Sequence, residues 1–323
     1  MDRCRWLGMV PQALASFSLL LLAVGTANAT YPGRNGLIAF QAQTDAGIQI
    51  FTVRSNGQGL QQITHVTGDA GDPDWSPDGR QIVFDHAAPS ECANVAIMNA
   101  DGTGLVEFPD DPTVCEDDPS FTPDGSRIVF HRVDTTTGDE AIWSMDRNGN
   151  DRQRIGVCCA DPNVSPDGEK LSFLGFNGNP DGSALFTSNT DGSNVFQVTP
   201  YSFNVAAKQD WAPDGQHLTF TKDGGLLKPG VSANIATIQP DGTHLRFLTH
   251  YEGGDVSAFV GSYSPDGKWI VLRLNDHGLF GLFKMRPDGT HLTTIIPLSS
   301  FRPRFIDWGA RPSDADDEDE DGD

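Results

Sequence analysis

Short apolar runs alternate with polar turns along the whole chain beyond residue 36. Ile82-Val83-Phe84, Ile128-Val129-Phe130, Leu171-Ser172-Phe173, Leu218-Thr219-Phe220 and Ile270-Val271-Leu272 each follow a Pro-Asp-Gly turn. Four of these five turns are themselves preceded by an aromatic: Trp75, Phe121, Trp211 and Tyr263; the fifth follows Val164. The copies recur every 43 to 52 residues. A second set of runs, including Val95-Ala96-Ile97-Met98, Ile142-Trp143-Ser144-Met145 and Leu282-Phe283-Lys284-Met285, leads into a second series of turns. That series is Asn56-Gly57, Asp101-Gly102, Asn148-Gly149, Asp191-Gly192, Asp241-Gly242 and Asp288-Gly289, at spacings of 43 to 50. Asn-Gly and Asp-Gly tolerate positive φ and mark tight hairpins; Pro-Asp-Gly presets φ at the second turn position. Runs this short with two tight turns per repeat predict strands, and no amphipathic helical pattern of useful length competes with them.

A repeat of this length matches one four-stranded propeller blade. The count reaches six when the ends are joined. Gly36 to Thr64 supplies three strands and lacks the aromatic element that opens the other repeats. The missing strand is Arg304-Phe305-Ile306-Asp307-Trp308-Gly309, where Trp308 stands in the position of Trp75 and Trp211. The fold class expected is therefore all-β: a six-bladed β-propeller of four-stranded antiparallel blades, closed by the C-terminal strand completing the first blade.

These elements resemble the TolB-type six-bladed β-propeller, built of WD-like Pro-Asp repeats. The residues that carry the resemblance are the Trp75-Ser76-Pro77-Asp78-Gly79 element, the Asn99-Ala100-Asp101-Gly102-Thr103 hairpin and the terminal Asp307-Trp308-Gly309. It covers about Tyr31 to Ala310. It implies an extracytoplasmic propeller, usually a binding scaffold; some members of the wider group carry enzymatic domains or, as in oligogalacturonate lyases, a metal-dependent site. TolB itself has an α/β domain ahead of its propeller, whereas here the propeller pattern starts straight after the leader, so a role in the Tol envelope system is not implied.

The ends read differently from the repeats. Arg3 and Arg5, the apolar stretch Leu14 to Val24 and the small-x-small Ala27-Asn28-Ala29 read as a secretory signal peptide over 1–29. The expected domains are that leader, a propeller over 30–312 and a disordered acidic tail over 313–323. The expected location is extracytoplasmic, periplasmic or secreted, with no membrane span. The net charge is −22, and Asp314 to Asp323 holds eight of the acids. An acidic body argues against nucleic acid and anionic membrane partners. A monomer binding a protein or polysaccharide partner is expected. Within the tail, Asp317-x-Asp319-x-Asp321-Gly322 matches the first half of an EF-hand loop but lacks the acidic residue that closes one, so the run reads as a solvated charge tract.

Candidate chemistry falls on the face opposite the tight turns, where the longer connections gather. Asp72, Asp118 and Asp161 share one repeat position, three residues before the aromatic or apolar site. Asp110, Asp111, Glu116 and Asp117 add charge nearby. Such carboxylates can bind a ligand or hold Ca²⁺ or another divalent cation, or simply start a strand in solvent. His65, His86, His131, His250 and His277 fall on the same face. His86 and His131 end comparable strands in adjacent blades and are the best ligand-binding pair, with surface imidazoles as the plain alternative. The repeated Pro-Asp-Gly aspartates belong to turns, and Trp75, Trp211, Trp308, Phe121 and Tyr263 to blade packing. No Gly-x-Ser-x-Gly, phosphate loop or HExxH is present, so no catalytic residue is assigned. Of the cysteines beyond the leader, Cys92 and Cys115 are the expected disulfide, with Cys115 to Cys158 or Cys159 as the rival pairing. The leading function is a non-enzymatic exported scaffold without a cofactor; the alternative is a metal-dependent carbohydrate-active lyase or hydrolase with its site at the channel mouth.

Overall fold

The structure is a computed structural model, and it describes residues 33–109, 111–176, 182–224 and 228–313. The expected leader, Asp110 and the Asp-rich tail from residue 314 lie outside the described residues. Within them the chain forms six four-stranded antiparallel sheets. Blade I joins Arg304–Ala310 to Asn35–Thr44, Gly47–Val53 and Gln61–Gln62. Blade II runs through Asp69–Trp75, Gln81–Ala87, Asn94–Asn99 and Val106–Glu107. The inner strands of blades III to VI are Val114–Phe121, Ala160–Val164, Asp210–Trp211 and Val256–Tyr263. The first blade is thus completed by the last strand, with Ile38 opposite Trp308 and Ala39 opposite Asp307. Joining the termini this way leaves no open edge between first and last blade.

The core lies between blades. Six apolar clusters form, one at each blade interface. Trp75, Trp211 and Trp308 are among the largest fully buried side chains, which bears out their reading as packing groups. Gly309 is needed beneath one of them: a Cβ there would come within 2.5 Å of the Trp75 ring.

The tight turns share one face, hereafter the turn face. In blade II the Ser76 hydroxyl donates to Asp78 at 2.6 Å, and Gly79 N–H donates to Ser76 O at 2.8 Å. Thr122 with Asp124, Ser165 with Asp167 and Ser264 with Asp266 repeat the clamp at the same 2.6 Å. Blade V keeps the backbone bond but has Ala212 in place of the hydroxyl donor. Gly102 has φ +84°, and a Cβ there would lie 2.2 Å from Ile63 O, so only glycine suits it.

The opposite, loop face is varied. A disulfide joins Cys92, between two strands of blade II, to Cys115 in the inner strand of blade III, with Cα atoms 4.6 Å apart. Cys158 and Cys159 are bonded to each other. The local pairing is therefore present and the rival is not.

The charged mouth of the channel

The inner strands of blades I, II, III, IV and VI each carry a one-residue bulge. In blade II, three steps from Gly71 to Asp74 are matched by two from Asp85 to Val83 on the neighbour; blades I, III, IV and VI repeat the shift. A bulge re-aims the side chain it displaces. In blades I to IV the displaced residue is Phe305, Asp72, Asp118 or Asp161; these and Lys208, which holds the same repeat position just before the short inner strand of blade V, lie in the left-handed region with φ between 46° and 75°. Aspartate accepts that conformation more readily than most residues, whereas Lys208 and Phe305 hold strain of roughly 1–3 kcal/mol. The bulge explains why one repeat position collects around the axis. Asp72, Asp118, Asp161, Lys208 and Phe305 line a single central void of about 10 Å³, room for one water at most. Side chains therefore plug the channel at this level.

Below this ring, toward the turn face, the residue before each aromatic clips one blade to the next. Asp307 accepts the Trp75 N–H at 2.8 Å, Asp74 that of Phe121 at 2.9 Å and Asp210 that of Tyr263 at 2.7 Å. Ser262 accepts from Trp308 at 2.7 Å. These clips leave buried carboxylates needing a counter-charge, and Lys208 supplies it. Burial opposes its charge, but Asp307, Asp74, Asp161 and Asp210 outweigh burial and hold the ammonium above its usual range.

The mouth above is acidic on the side of blades II to IV. Burial first, then the Asp85, Asp118, Asp161 and Asp117 carboxylates, push Asp72 well above the usual carboxylate range. Asp118 is pushed up by burial and then by Asp117 and Asp161. Burial followed by Asp117 takes Asp85 to about 7, and burial takes Asp161 to about 6. Asp72 Oδ1 has no N–H or hydroxyl donor; the neighbouring Asp85 carboxyl can share a proton with it. Asp118 and Asp161 each accept a backbone N–H from the next blade at 2.9 Å.

The three aspartates of the shared repeat position therefore do come together. His131 joins them through Asp117: its Nδ1 lies 2.7 Å from Asp117 Oδ1 and its Nε2 3.1 Å from Glu140 Oε1. Burial opposes its charge, but the Asp117 hydrogen bond and charge, with Asp118 and Glu140, raise its pKa. His86 does not join this cluster. Gly71 pairs with Asp85 where Asp117 pairs with His131, so Asp85 is the true counterpart of His131. His86 is one residue further on and, by strand alternation, faces the other way, with its ring nitrogens on Glu107 at 2.8 Å and Thr67 O at 3.1 Å. His65 lies against Gln62, His250 beside Phe247, and His277 against Asp276 and Asp255. Glu116 also departs from the cluster, buried against Arg152 with Arg132 at 3.8 Å, while Asp111 caps Thr113 at the surface.

The other side of the mouth is basic. Arg273 of blade VI faces Phe259 in register, and Arg302 and Arg304 lead into the closing strand of blade I. Neither Lys208 nor these arginines was singled out from the sequence. Lys208 stands in the Asp72 position of its repeat, so the spacing was available; the arginines come from distant segments that meet only when the ring closes.

No protein-family model matches the chain, and no match is found among curated proteins. Similar solved structures exist at low identity. TolB from Acinetobacter baumannii is 18% identical, with a TM-score of 0.68 over 88% of this chain and 69% of that one. A protein assigned as TolB from Agrobacterium tumefaciens is 15% identical, with a TM-score of 0.62 over 81% and 88%. A chain in a nidogen/laminin complex is 13% identical, with a TM-score of 0.62 over 85% and 98%. With six clipped blades, a closing C-terminal strand and these structural neighbours, the chain has the TolB-like six-bladed β-propeller fold.

Proposed function

We propose that this chain is an extracytoplasmic, non-enzymatic scaffold that binds a protein partner through its loop face, with the channel mouth at the centre of the contact. One observation carries the reading. Arg273 Nε is buried without a hydrogen-bond acceptor on the basic side of the mouth, and on the acidic side Asp72 Oδ1 has only the neighbouring Asp85 carboxyl to share a proton with. A folded protein leaves such groups unmatched at a cost of roughly 1–3 kcal/mol each, and a docked partner offsets it. The turn face, by contrast, satisfies its turns from within. The Cys92–Cys115 bond supports an oxidising location, as does the leader pattern of the sequence. The nidogen/laminin structure shows a chain of similar fold within a protein complex, which supports the use of the fold as a docking platform. No helix among the described residues is long and apolar enough to cross a membrane.

The test is cross-linking capture from the native host with two charge-reversed proteins. Asp117→Lys on the loop face should lose the captured partner, and Glu169→Lys beside a tight turn should retain it. Equal capture by both, or loss only with Glu169→Lys, contradicts the reading.

A second reading has its own observation. Asp117, Asp118 and His131 offer ligand atoms within 4.8 Å of one another, a group that could hold a divalent cation for the alternative metal-dependent carbohydrate-active enzyme. The donors are mainly carboxylates, which suits a hard cation such as Ca²⁺. Both nitrogens of His131 already face carboxylates, however, and its raised pKa makes it a counter-cation rather than a ligand. Stoichiometric metal in the purified protein, lost in Asp118→Asn, would favour this second reading over the first.

A further inference from the structure

We infer that Arg273, Arg302 and Arg304 form an oxyanion-binding subsite at the rim of the mouth, taking a carboxylate or phosphoryl group of a ligand. This goes beyond the scaffold reading, because a small anion suffices to occupy it and no protein partner is required.

The first ground is like charge gathered without a partner. The chain carries 44 acidic and 22 basic residues, yet these three arginines sit together. Among the described residues none of them makes an ion pair or a side-chain hydrogen bond. Other arginines of this chain are matched: Arg127 lies on Asp151 at 2.7 Å and Arg154 on Asp139 at 2.8 Å. The Arg273 guanidinium is largely buried, and its Nε has no acceptor. Burial, followed by the charges of Arg304 and Arg302, pulls its pKa toward about 9, so the group is charged at neutral pH and short of a counter-ion.

The second ground is geometry that holds the guanidinium groups in place. Arg273 lies 4.1 Å from the Phe259 ring centroid and 5.6 Å from that of Phe280. Arg302 lies 4.7 Å from the Phe280 ring centroid, and Arg304 5.3 Å from that of Phe305. Rings against the flat faces leave the N–H edges to point elsewhere, and those edges match the oxygen pairs of carboxylates and phosphates. The third ground is space. A cavity of about 440 Å³ opens beside them, lined by Arg302, Arg304, Gln41, Gln43, Ser300 and Ile48. That volume holds a small molecule or one residue-sized group of a larger ligand. Gln41 also accepts the Asp72 N–H at 2.6 Å, so the cavity borders the acidic half of the mouth.

The experiment is thermal melting and calorimetry of the full chain at low ionic strength with citrate, inorganic phosphate or chloride at matched ionic strength. Citrate or phosphate should raise the melting midpoint by about 3 °C over chloride when well above its dissociation constant. Preference for citrate identifies a carboxylate source, and preference for phosphate a phosphoryl source. The double variant Arg302→Ala/Arg304→Ala, altered only at exposed side chains, should melt like the parent in chloride and bind the preferred anion at least ~10-fold more weakly. If neither anion exceeds chloride, or the double variant binds as tightly as the parent, the subsite does not exist. Arg273→Met gives a second check: it should abolish the shift while melting no lower than the parent in chloride.

Discussion

The two faces of the disc are built from the same six repeats but solve opposite problems. On the turn face, the tight turns are closed by hydrogen bonds within their own repeats. Hydroxyl clamps and turn aspartates recur from blade to blade, and the carboxyls of Asp78, Asp124 and Asp266 are drawn below their usual range. Asp78, Asp124 and Asp266 owe this to hydrogen bonds from Ser76, Thr122 and Ser264, which overcome the opposing effect of burial. At the mouth on the loop face, the carboxyls of Asp72, Asp85, Asp118 and Asp161 are pushed up, and Arg273, Arg302 and Arg304 make no ion pair among the described residues. Repetition marks what holds the ring together, and under the proposed function departure from it marks what the ring holds out to a ligand. The two faces accordingly respond to pH in opposite senses. A carboxyl lowered in the folded state contributes stability above its unfolded pKa and loses it as pH falls. A carboxyl raised in the folded state contributes stability at low pH and loses it as pH rises through the folded value. For Asp161 and Asp85 that loss runs from about 4 up to about 6 and 7.

The largest effect should come from breaking the ring that both faces share. Deleting residues 302–323 removes the inner strand of blade I and, with it, Trp308 and the Asp307 clip on Trp75. Circular dichroism and aggregation assays should show a protein that does not fold, whereas deleting only 314–323 should leave the melt unchanged. A folded long truncation would show that the closing strand is dispensable.

The next effect separates the ways the two faces are fixed. The paired change Cys92→Ser/Cys115→Ser should cost about 3 kcal/mol in denaturant unfolding, the chain-entropy value for a loop of this size. Gly102→Val, on the turn face, should cost about 2 kcal/mol, because it combines a positive φ with a backbone clash. It should leave ligand binding intact once folded, so a loss of binding in the folded variant would blur the distinction between the faces.

A smaller effect asks whether the turn face follows its own rule where one repeat breaks it. Ala212→Ser supplies the hydroxyl missing from the blade V clamp, next to Asp214. It should stabilise by about 0.5–1 kcal/mol. No gain would mean that the clamp seen in four other turns is a bystander.

The sequence exposes these faces unequally, for physical reasons. Turn chemistry is local, so Asp101-Gly102 or Ser76-Pro77-Asp78-Gly79 announces itself within four residues. The closing strand was legible because Trp308 fits the Trp75 column. The Asp72, Asp118 and Asp161 column was legible as spacing, but the bulge that turns it inward leaves no mark in the pattern. That same pattern misleads for His86, because a step of one residue in a strand reverses the face. Arg273 and Arg304 are 31 positions apart and become neighbours through ring closure alone.

The most direct test of the contrast between the faces is the stability of Asp85→Asn as a function of pH. An asparagine keeps an acceptor for the Gly71 N–H, can donate to Asp72 and carries no charge. At pH 8 the variant should be more stable than the parent by ~1.4 kcal/mol or more, the value of one pKa unit. By pH 4, where Asp85 is protonated in the parent, the gain should vanish. A variant that is less stable than the parent at pH 8, or a gain that does not change with pH, would contradict the claim that the mouth holds charge at the expense of stability.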